Sequence, residues 1–418
     1  MAGESPRILL LMTPTTYRAT DFLRAGAAAG VEIVVGTNRA QILAGLAPDH
    51  NLTLPFDDPA VAESLALAYA ARCPLQAVVG VDDEAVLPAA RLAAALGVPH
   101  NTVKSVAVTR SKVLMRECLA AAGMSGPAFL AAREMPDPGR VGDEIGFPCV
   151  VKPASLSGSR GVVRVDRAGD LKAVWQRVRS ILQTARREDR QGIEDDRLLL
   201  ERFMPGEEVA LEALLQEGRL RPLALFDKPD PMDGPAFAET IFVAPSRQPR
   251  QVQKAVLDAT EATAAALGLN DGPIHAEFRI HGGEIQLLEV AARTIGGLCS
   301  RALRFAAGMS LEEIVLRHAC RLRLPVLARE HQASGVFMLP VPRAGTLRAI
   351  HGLDEARRVD GIEDVVITVS LGDELVPLPE ESRVLGFLFA RGATPAAVEE
   401  SLRTAGDCLK VDVQPPTP

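Results

Sequence analysis

The 418-residue sequence has no basic excess: 46 lysines and arginines stand against 53 acidic residues, a formal charge of −7. Nothing electrostatic then favours a polyphosphate backbone or an anionic bilayer, so neither nucleic acid nor membrane is expected as a partner. Long apolar runs are also missing near the start. The stretch Ile8 to Met12 is too short for a signal-peptide core or a spanning helix, which makes a cytoplasmic location the expectation. Six cysteines at 73, 118, 149, 299, 320 and 408 form no close pair of the kind that holds zinc or exchanges disulfides. The seven histidines show neither HxxxH nor HExxH spacing, so a histidine metal site would have to be assembled by the fold alone. No internal repeat or low-complexity segment is present.

What is there suits buried sheets with a solvated surface: 47% hydrophobic and 24% charged residues. At about 150 residues per domain the length predicts two or three units, and three are read here: 1–104, 105–320 and 321–418. The second divides into a small lobe at about 123–197 and a large lobe at about 198–320. The first hundred residues alternate short apolar runs (Arg7 to Met12, Glu32 to Thr37, Ala77 to Val81) with Ala- and Leu-rich helical stretches, a βαβ pattern with a parallel sheet. After Asp58, Val61, Leu65 and Ala68 share one helical face and are expected to pack on that sheet. Thr13-Pro14-Thr15-Thr16 follows the first strand, so the GxGxxG dinucleotide fingerprint is missing. A helix from about Thr109 to Ala122 opens the second unit. Strands follow at Phe147 to Pro153, Gly161 to Asp166, Leu198 to Met204 and Val209 to Gln216, interrupted by a charged stretch, Ala185 to Arg197, read as a solvated helix end and loop. The helix near Pro249 to Leu267 carries Val252, Val256, Ala259, Thr263 and Leu267 on one core-facing stripe. The third unit mixes strands with a helix after Thr394.

Three segments carry candidate chemistry. In the first, Lys152-Pro153 precedes Ser155-Leu156-Ser157-Gly158-Ser159-Arg160-Gly161. Backbone N–H groups of such a loop can surround phosphate oxygens while the lysine neutralises them, although an ordinary hairpin loop has the same composition and no Walker-type GK[ST] ends it. The second is Leu200-Glu201-Arg202-Phe203-Met204-Pro205-Gly206-Glu207-Glu208, where a strand end offers backbone groups to a base edge and a carboxylate to a ribose. Solvated acids at a strand end are the alternative. The third runs from His275-Ala276-Glu277 through Gly282-Gly283 to Glu289-Val290-Ala291-Ala292-Arg293 and Gly296-Gly297. Glu289 lies in an apolar setting and needs a cation: either a hard divalent ion shared with Glu277 or an ion pair with Arg293. Because side chains alternate along a strand, Glu277 and Glu289 share a face only if the loop between their strands is odd, as in His281-Gly282-Gly283. A two-residue Gly282-Gly283 turn would part them.

Taken in order, a lysine on a helix, a lysine before a Gly/Ser loop, Glu-x4-Gly-x-Glu and paired acids before an arginine, these segments resemble the ATP-grasp superfamily. The segment Glu289 to Arg293 before Gly296-Gly297 is similar to that of its L-amino-acid ligase, or carboxylate–amine ligase, branch. The resemblance implies a three-domain α/β architecture with a Rossmann-like N-terminal parallel sheet, a two-lobed nucleotide clamp and a C-terminal α+β lid. It implies ATP and magnesium (manganese as an alternative) as cofactors, small-molecule carboxylate and amine substrates joined through an acyl phosphate, and it is compatible with a homodimer. Carried across by motif, Lys112 and Lys152 would contact phosphates, covered by the loop with Ser157, Gly158, Ser159 and Gly161. Glu201, with Arg202, Phe203 and Met204, would hold adenine, and Glu208 the ribose. Glu277 and Glu289 would bind magnesium. Arg293, with Lys152, would be catalytic, and Glu239, Phe242, His275, Arg293, Gly296 and Gly297 would face the substrates. Ala291 stands where many members place asparagine, so a second metal ion would need other ligands. Phe242 stands where some amino-acid ligases have histidine, and a phenyl ring offers no hydrogen bond, which leaves the carboxylate substrate open. A carboxylase or purine-type reaction and a non-catalytic nucleotide-binding module are the competing functions.

Overall fold

In the computed structural model, which describes residues 5–40, 48–188 and 195–416, the first strand β1 (Arg7–Leu11) lies at the centre of a parallel sheet. From Ile8 to Leu11 it exposes no side chain, as expected for a parallel strand covered on both faces. Helix α1 (Ala19–Ala29), β2 (Glu32–Thr37), β3 (Asn51–Thr53), α2 (Pro59–Ala70), β4 (Ala77–Gly80) and α3 (Asp83–Leu96) complete this unit, with strand order β3-β2-β1-β4. Asp58 caps α2 by accepting the Val61 N–H at 3.2 Å, with Pro59 opening the helix. The face that packs is Ala62, Ala66 and Tyr69. Val61, Leu65 and Ala68 lie outward, contrary to the sequence expectation, because in this helix the small alanines allow close approach to the sheet and the larger side chains face away.

The helix expected from about Thr109 to Ala122 is α5 (Lys112–Ala121), which Ser111 caps by accepting the Leu114 N–H, and a separate short helix, α4 (Val103–Thr109), precedes it. Next come β5 (Phe129–Ala132), α6 (Pro138–Glu144), β6 (Cys149–Pro153), β7 (Val163–Val165), α7 (Leu171–Glu188) and β8 (Leu198–Arg202). Their four strands form a sheet in the order β5-β8-β6-β7, backed by α7 through Leu171, Trp175, Val178 and Leu182. The charged stretch from Ala185 begins as the exposed end of α7 and in part lies outside the described residues.

Strands β9 (Glu207–Gln216), β10 (Arg219–Lys228), β11 (Ile241–Ala244), helix α8 (Arg250–Leu267), β12 (Gly272–His281), β13 (Glu284–Ala291) and helix α9 (Leu311–Ala319) follow. Helix α8 buries Val256, Thr260, Thr263, Ala264 and Leu267, with Val252 and Ala259 packed beside them, so the expected stripe faces the core. The remaining elements are β14 (Ala333–Pro340), β15 (Gly345–His351), α10 (Leu353–Arg357), β16 (Ile362–Ile367), β17 (Glu374–Leu375), β18 (Val384–Gly392), α11 (Pro395–Cys408) and β19 (Lys410–Gln414). Strands from before and after residue 320 share one eight-stranded sheet, in the order β13-β12-β9-β10-β11-β14-β18-β16. Helix α9 adds Val315 and Leu316 to the core that contains Ile8, Leu10 and Phe22. The small sheet, the large sheet and the ends of β1 and β4 meet around one cavity.

Candidate active site

The cavity has a volume of about 500 Å³. Strand alternation explains which side chains reach it. In the small sheet Val150 pairs with Glu201, and Val150, Lys152 and Glu201 all face inward. Lys152 Nζ bonds the Glu201 carboxylate, whose other oxygen accepts from Arg116 Nε at 3.0 Å. Burial would raise the Glu201 pKa, but the two cations hold it down at about 2. Burial, with Arg116 as a like charge, pulls Lys152 below the ordinary lysine range in spite of Glu201. The carboxylate of Glu201 is thus occupied within the protein, and the chain after it, Arg202 to Met204, lines the cavity.

On the large sheet, register brings a polar face together: Glu208 pairs with both Lys228 and Arg279, Glu212 with His275, and Glu277 with Glu289. Lys228 Nζ contacts Glu208, lies 2.8 Å from Glu239 and 3.4 Å from Glu277. Oxygens of those three carboxylates lie within 4.8 Å of one another. Burial opposes charge on Lys228, but the three acids hold its pKa well above the ordinary value. For Glu239, burial, with the like charge of Glu277 added, outweighs Lys228 and pushes the carboxyl up to about 7. Burial likewise opposes the charge on His275, yet Glu212 at Nδ1 and Glu277 at Nε2 raise it to about 10. Lys228 neutralises this cluster, while Glu277 also faces Glu289 across the strand pair, and two such carboxylates are the hard oxygen donors that a magnesium-like cation takes together with phosphate oxygens.

The turn joining β12 and β13 has two residues, Gly282 and Gly283, both at positive φ, with His281 opposite Glu284. The three-residue loop expected from sequence is therefore not formed. Glu277 and Glu289 nonetheless lie directly opposite one another, because a bulge at Leu288 shifts the register between Glu277 and Phe278. Glu289 pairs with Lys112 Nζ at 3.2 Å, and that ammonium also donates to the Leu156 carbonyl at 2.6 Å.

Arg293 does not use Glu289 as its hydrogen-bonded ion-pair partner. It forms a two-point ion pair with Asp83 of α3, Nε to Oδ1 at 2.8 Å and Nη2 to Oδ2 at 2.7 Å, and Nη1 donates to the Thr294 carbonyl at 2.8 Å. Burial alone would raise the Asp83 pKa, but Arg293 and Arg110 hold it well below the carboxylate range. Of its five guanidinium N–H bonds, two are left without a hydrogen-bond partner among the described residues, and Arg293 lines the cavity.

Three stretches match known domains: residues 23–100 an ATP-grasp N-terminal domain, 145–302 an ATP-grasp domain, and 337–414 an L-amino acid ligase C-terminal domain 2. The chain is 30% identical over 240 residues to the D-alanine–D-alanine ligase of Desulforudis audaxviator, covering 54% of this chain and 73% of that one. The chain belongs to the ATP-grasp family. Over 319 residues this ATP-grasp chain is 23% identical to the L-arginine-specific L-amino acid ligase of Bacillus subtilis, covering 76% of its own length and 75% of that protein. The solved L-amino acid ligase from Bacillus licheniformis superposes with a TM-score of 0.83 at 23% identity, covering 99% of this chain and 100% of the other. Other curated relatives are longer: the chain spans 64% of the length of one and 52% of another. No helix among the described residues is long and apolar enough to cross a membrane.

Within this ATP-grasp site, Lys112, Lys152, Ser157, Gly158, Ser159, Glu201, Arg202, Phe203, Met204, Glu208, Glu239, Phe242, His275, Glu277, Glu289, Arg293, Gly296 and Gly297 all line the cavity. Gly161 does not; its N–H donates to the Pro379 carbonyl at 2.8 Å and its φ of +74° turns the loop. Sequence reasoning missed Lys228, Arg116, Glu212 and Asp83. The period-two polar pattern Glu208-x-Ala210-x-Glu212 and His275-x-Glu277-x-Arg279 was a signal for Glu212. The acidic run Asp82-Asp83-Glu84 after β4 was one for Asp83, at the strand ends where parallel sheets place ligands. Arg116 and Lys228 had no such mark.

Proposed function

We propose that this protein is an ATP- and magnesium-dependent carboxylate–amine ligase acting on amino acids, by way of an acyl phosphate, with ADP and phosphate as products. The observation that carries the reading is the convergence in one cavity of Lys112 and Lys152, the facing pair Glu277 and Glu289, and Arg293. A carboxylate is a poor electrophile for an amine until one oxygen becomes a phosphate leaving group. The transferring phosphoryl group spreads negative charge over its oxygens, so fixed cations are the parts required. Lys152, held by Glu201, and Lys112, held by Glu289 and the Leu156 carbonyl, are such cations at the base of the Gly/Ser loop. Magnesium, held by Glu277 and Glu289, would neutralise phosphate oxygens. Arg293, anchored by Asp83, aims its two remaining N–H bonds at the oxyanion that forms when the amine attacks.

The deciding experiment incubates the protein with ATP, magnesium and pooled amino acids, measuring ADP and phosphate together with product masses. Dipeptide masses that rise with ADP support the ligase reading. ADP release that requires bicarbonate or formate and yields no peptide would place the protein with the carboxylases or purine-type enzymes. Nucleotide binding with no ADP under any condition would make it a binding module.

A further inference from the structure

The loop read above as the phosphate cover, Ser155 to Gly161, touches more than its own lobe. Arg160 Nε donates to the Glu380 carbonyl at 2.8 Å, and its Nη2 meets the Glu381 carboxylate at 2.6 Å. Arg177, on α7, makes a two-point pair with the Glu380 carboxylate at 2.6 and 3.0 Å. The Gly161 N–H donates to the Pro379 carbonyl at 2.8 Å, and a Cβ placed on Gly158 would lie 3.0 Å from the Ser382 Cβ. Leu378 and Ser382 themselves line the cavity. Four consecutive residues between β17 and β18, Pro379 to Ser382, thus reach the loop and α7 by ion pairs, a backbone bond and close packing. The far side of the same lobe is tethered separately, through the Arg164 N–H to the Pro235 carbonyl at 2.9 Å.

The geometry points to Glu380 and Glu381 as positioning residues for the nucleotide site: the 378–382 segment latches the Gly/Ser loop over the cavity. Neither carboxylate lines the cavity, so they act through Arg160 and Arg177 and not on the ligand. The loop's own residues explain why it needs an outside hold. Gly158, Ser159 and Gly161 all have φ between +59° and +74°, conformations open to many alternatives in a glycine-rich segment. Fixing the loop from the C-terminal region removes that freedom before ATP arrives, which lowers the ordering cost of binding. Because the Arg177–Glu380 pair is partly solvated, its contribution is modest and sensitive to salt.

The inference rests on the ligase reading only in naming ATP as the molecule under the loop. Its test uses Glu380→Arg, Arg177→Glu and the double exchange in the full chain. Hydrogen exchange of the peptide covering residues 155–162 is followed without nucleotide, and ATP affinity is measured by equilibrium binding. Each single reversal should speed exchange of the loop and weaken ATP binding about 5-fold, the scale of losing one well-formed exposed pair. The double exchange should return both to near the unsubstituted values. Unchanged loop exchange in the single variants, or a double exchange no better than either single one, overturns the latch. Faster exchange with unaltered ATP affinity overturns it as well, since the loop would then be held for some other purpose. Neither measurement needs turnover. An unsubstituted protein that binds ATP but joins no amino acids would count against the ligase reading alone.

Discussion

Arg293 and Asp83, separated by 210 positions in the chain, meet in a two-point ion pair that joins the end of the large sheet to the first residue of α3. The pair sets the plane of the guanidinium. Replacing Arg293 by lysine keeps one charge but loses the fork that spans two oxygens. Turnover should fall roughly 100-fold or more, the scale for removing one oxyanion donor, with ATP affinity little changed. Asp83→Asn should lower turnover as well, by less, because the guanidinium remains in place without its anchor. ADP release and equilibrium ATP binding measure both effects. Normal turnover in Arg293→Lys would show that this arginine only ties two parts of the fold together.

Glu289→Gln removes one of two facing carboxylates and leaves its neighbour Lys112 without a counter-charge. The magnesium concentration for half-maximal ADP release should rise about 10-fold or more, the low end of what even supporting groups at metal sites contribute. Glu277→Gln should behave similarly. Titrating magnesium at saturating ATP reads the effect, and an unchanged titration in both variants would remove the shared-metal argument.

That Glu277 and Glu289 face each other could not be settled from parity alone. Counting alternation through Gly282-Gly283 assumes an unbroken ladder, and Leu287-Leu288 breaks it. Two adjacent leucines interrupt the alternation, and the bulge they mark restores the shared face that the short turn would have denied. Local pattern was enough for the strands, the Gly/Ser loop and the α8 stripe, since each depends on neighbours in sequence. The α2 face was misjudged because hydrophobicity ranked Val61 and Leu65 above alanines, whereas the packing favours small residues close to the sheet. The partners of Glu201 and Arg293 were out of reach for a different reason. Arg116 and Asp83 come to them only through tertiary folding, and no spacing rule links positions 85 or 210 residues apart.

The buried Glu201 triad predicts a defined acid sensitivity. Against burial, the two cations hold the Glu201 pKa at about 2 in the folded chain, below the 4.5 of an ordinary glutamate. Its stabilisation is therefore fully present above about pH 4.5 and is lost as pH falls towards 2. The stability difference between the unsubstituted protein and Glu201→Gln should shrink by about 1.4 kcal/mol per pH unit within that interval. Urea unfolding at pH 5, 4 and 3 would measure it, and a difference that stays constant would mean that the carboxylate is not held by its two cations.

Donor specificity follows from which parts of the cavity remain uncommitted. Phe237, Phe242, Ile295, Met338 and Val384 line it with apolar surface, Tyr17 adds an aromatic ring, and Gly296 leaves room beside them. Ile241 and Val243, neighbours of Phe242 in sequence, turn into a different core and play no part. The cations nearby are engaged: Arg18 with the Val81 carbonyl and Thr294, Arg279 with Glu208 and two carbonyls, and Arg293 with Asp83 on one edge, its two remaining N–H bonds being those proposed above for the reacting oxyanion and not for a side chain. An anionic side chain would find no uncommitted cation among these three. The donor should therefore carry an apolar or aromatic side chain. Because a methylene in such a pocket is worth only about 1 to 3 kcal/mol, preference should be graded across alanine, valine, leucine, methionine and phenylalanine and not absolute. Met338→Ala should shift the optimum towards larger side chains by adding space, while ATP affinity stays the same. The measurement is kcat/KM for each donor at saturating ATP and a fixed acceptor. A strict requirement for a cationic donor would overturn this reading and point instead to Asp82, whose carboxylate accepts from Thr13 and Thr16 and has no ion-pair partner among the described residues, and to Glu84 beside it, as the groups that hold the side chain.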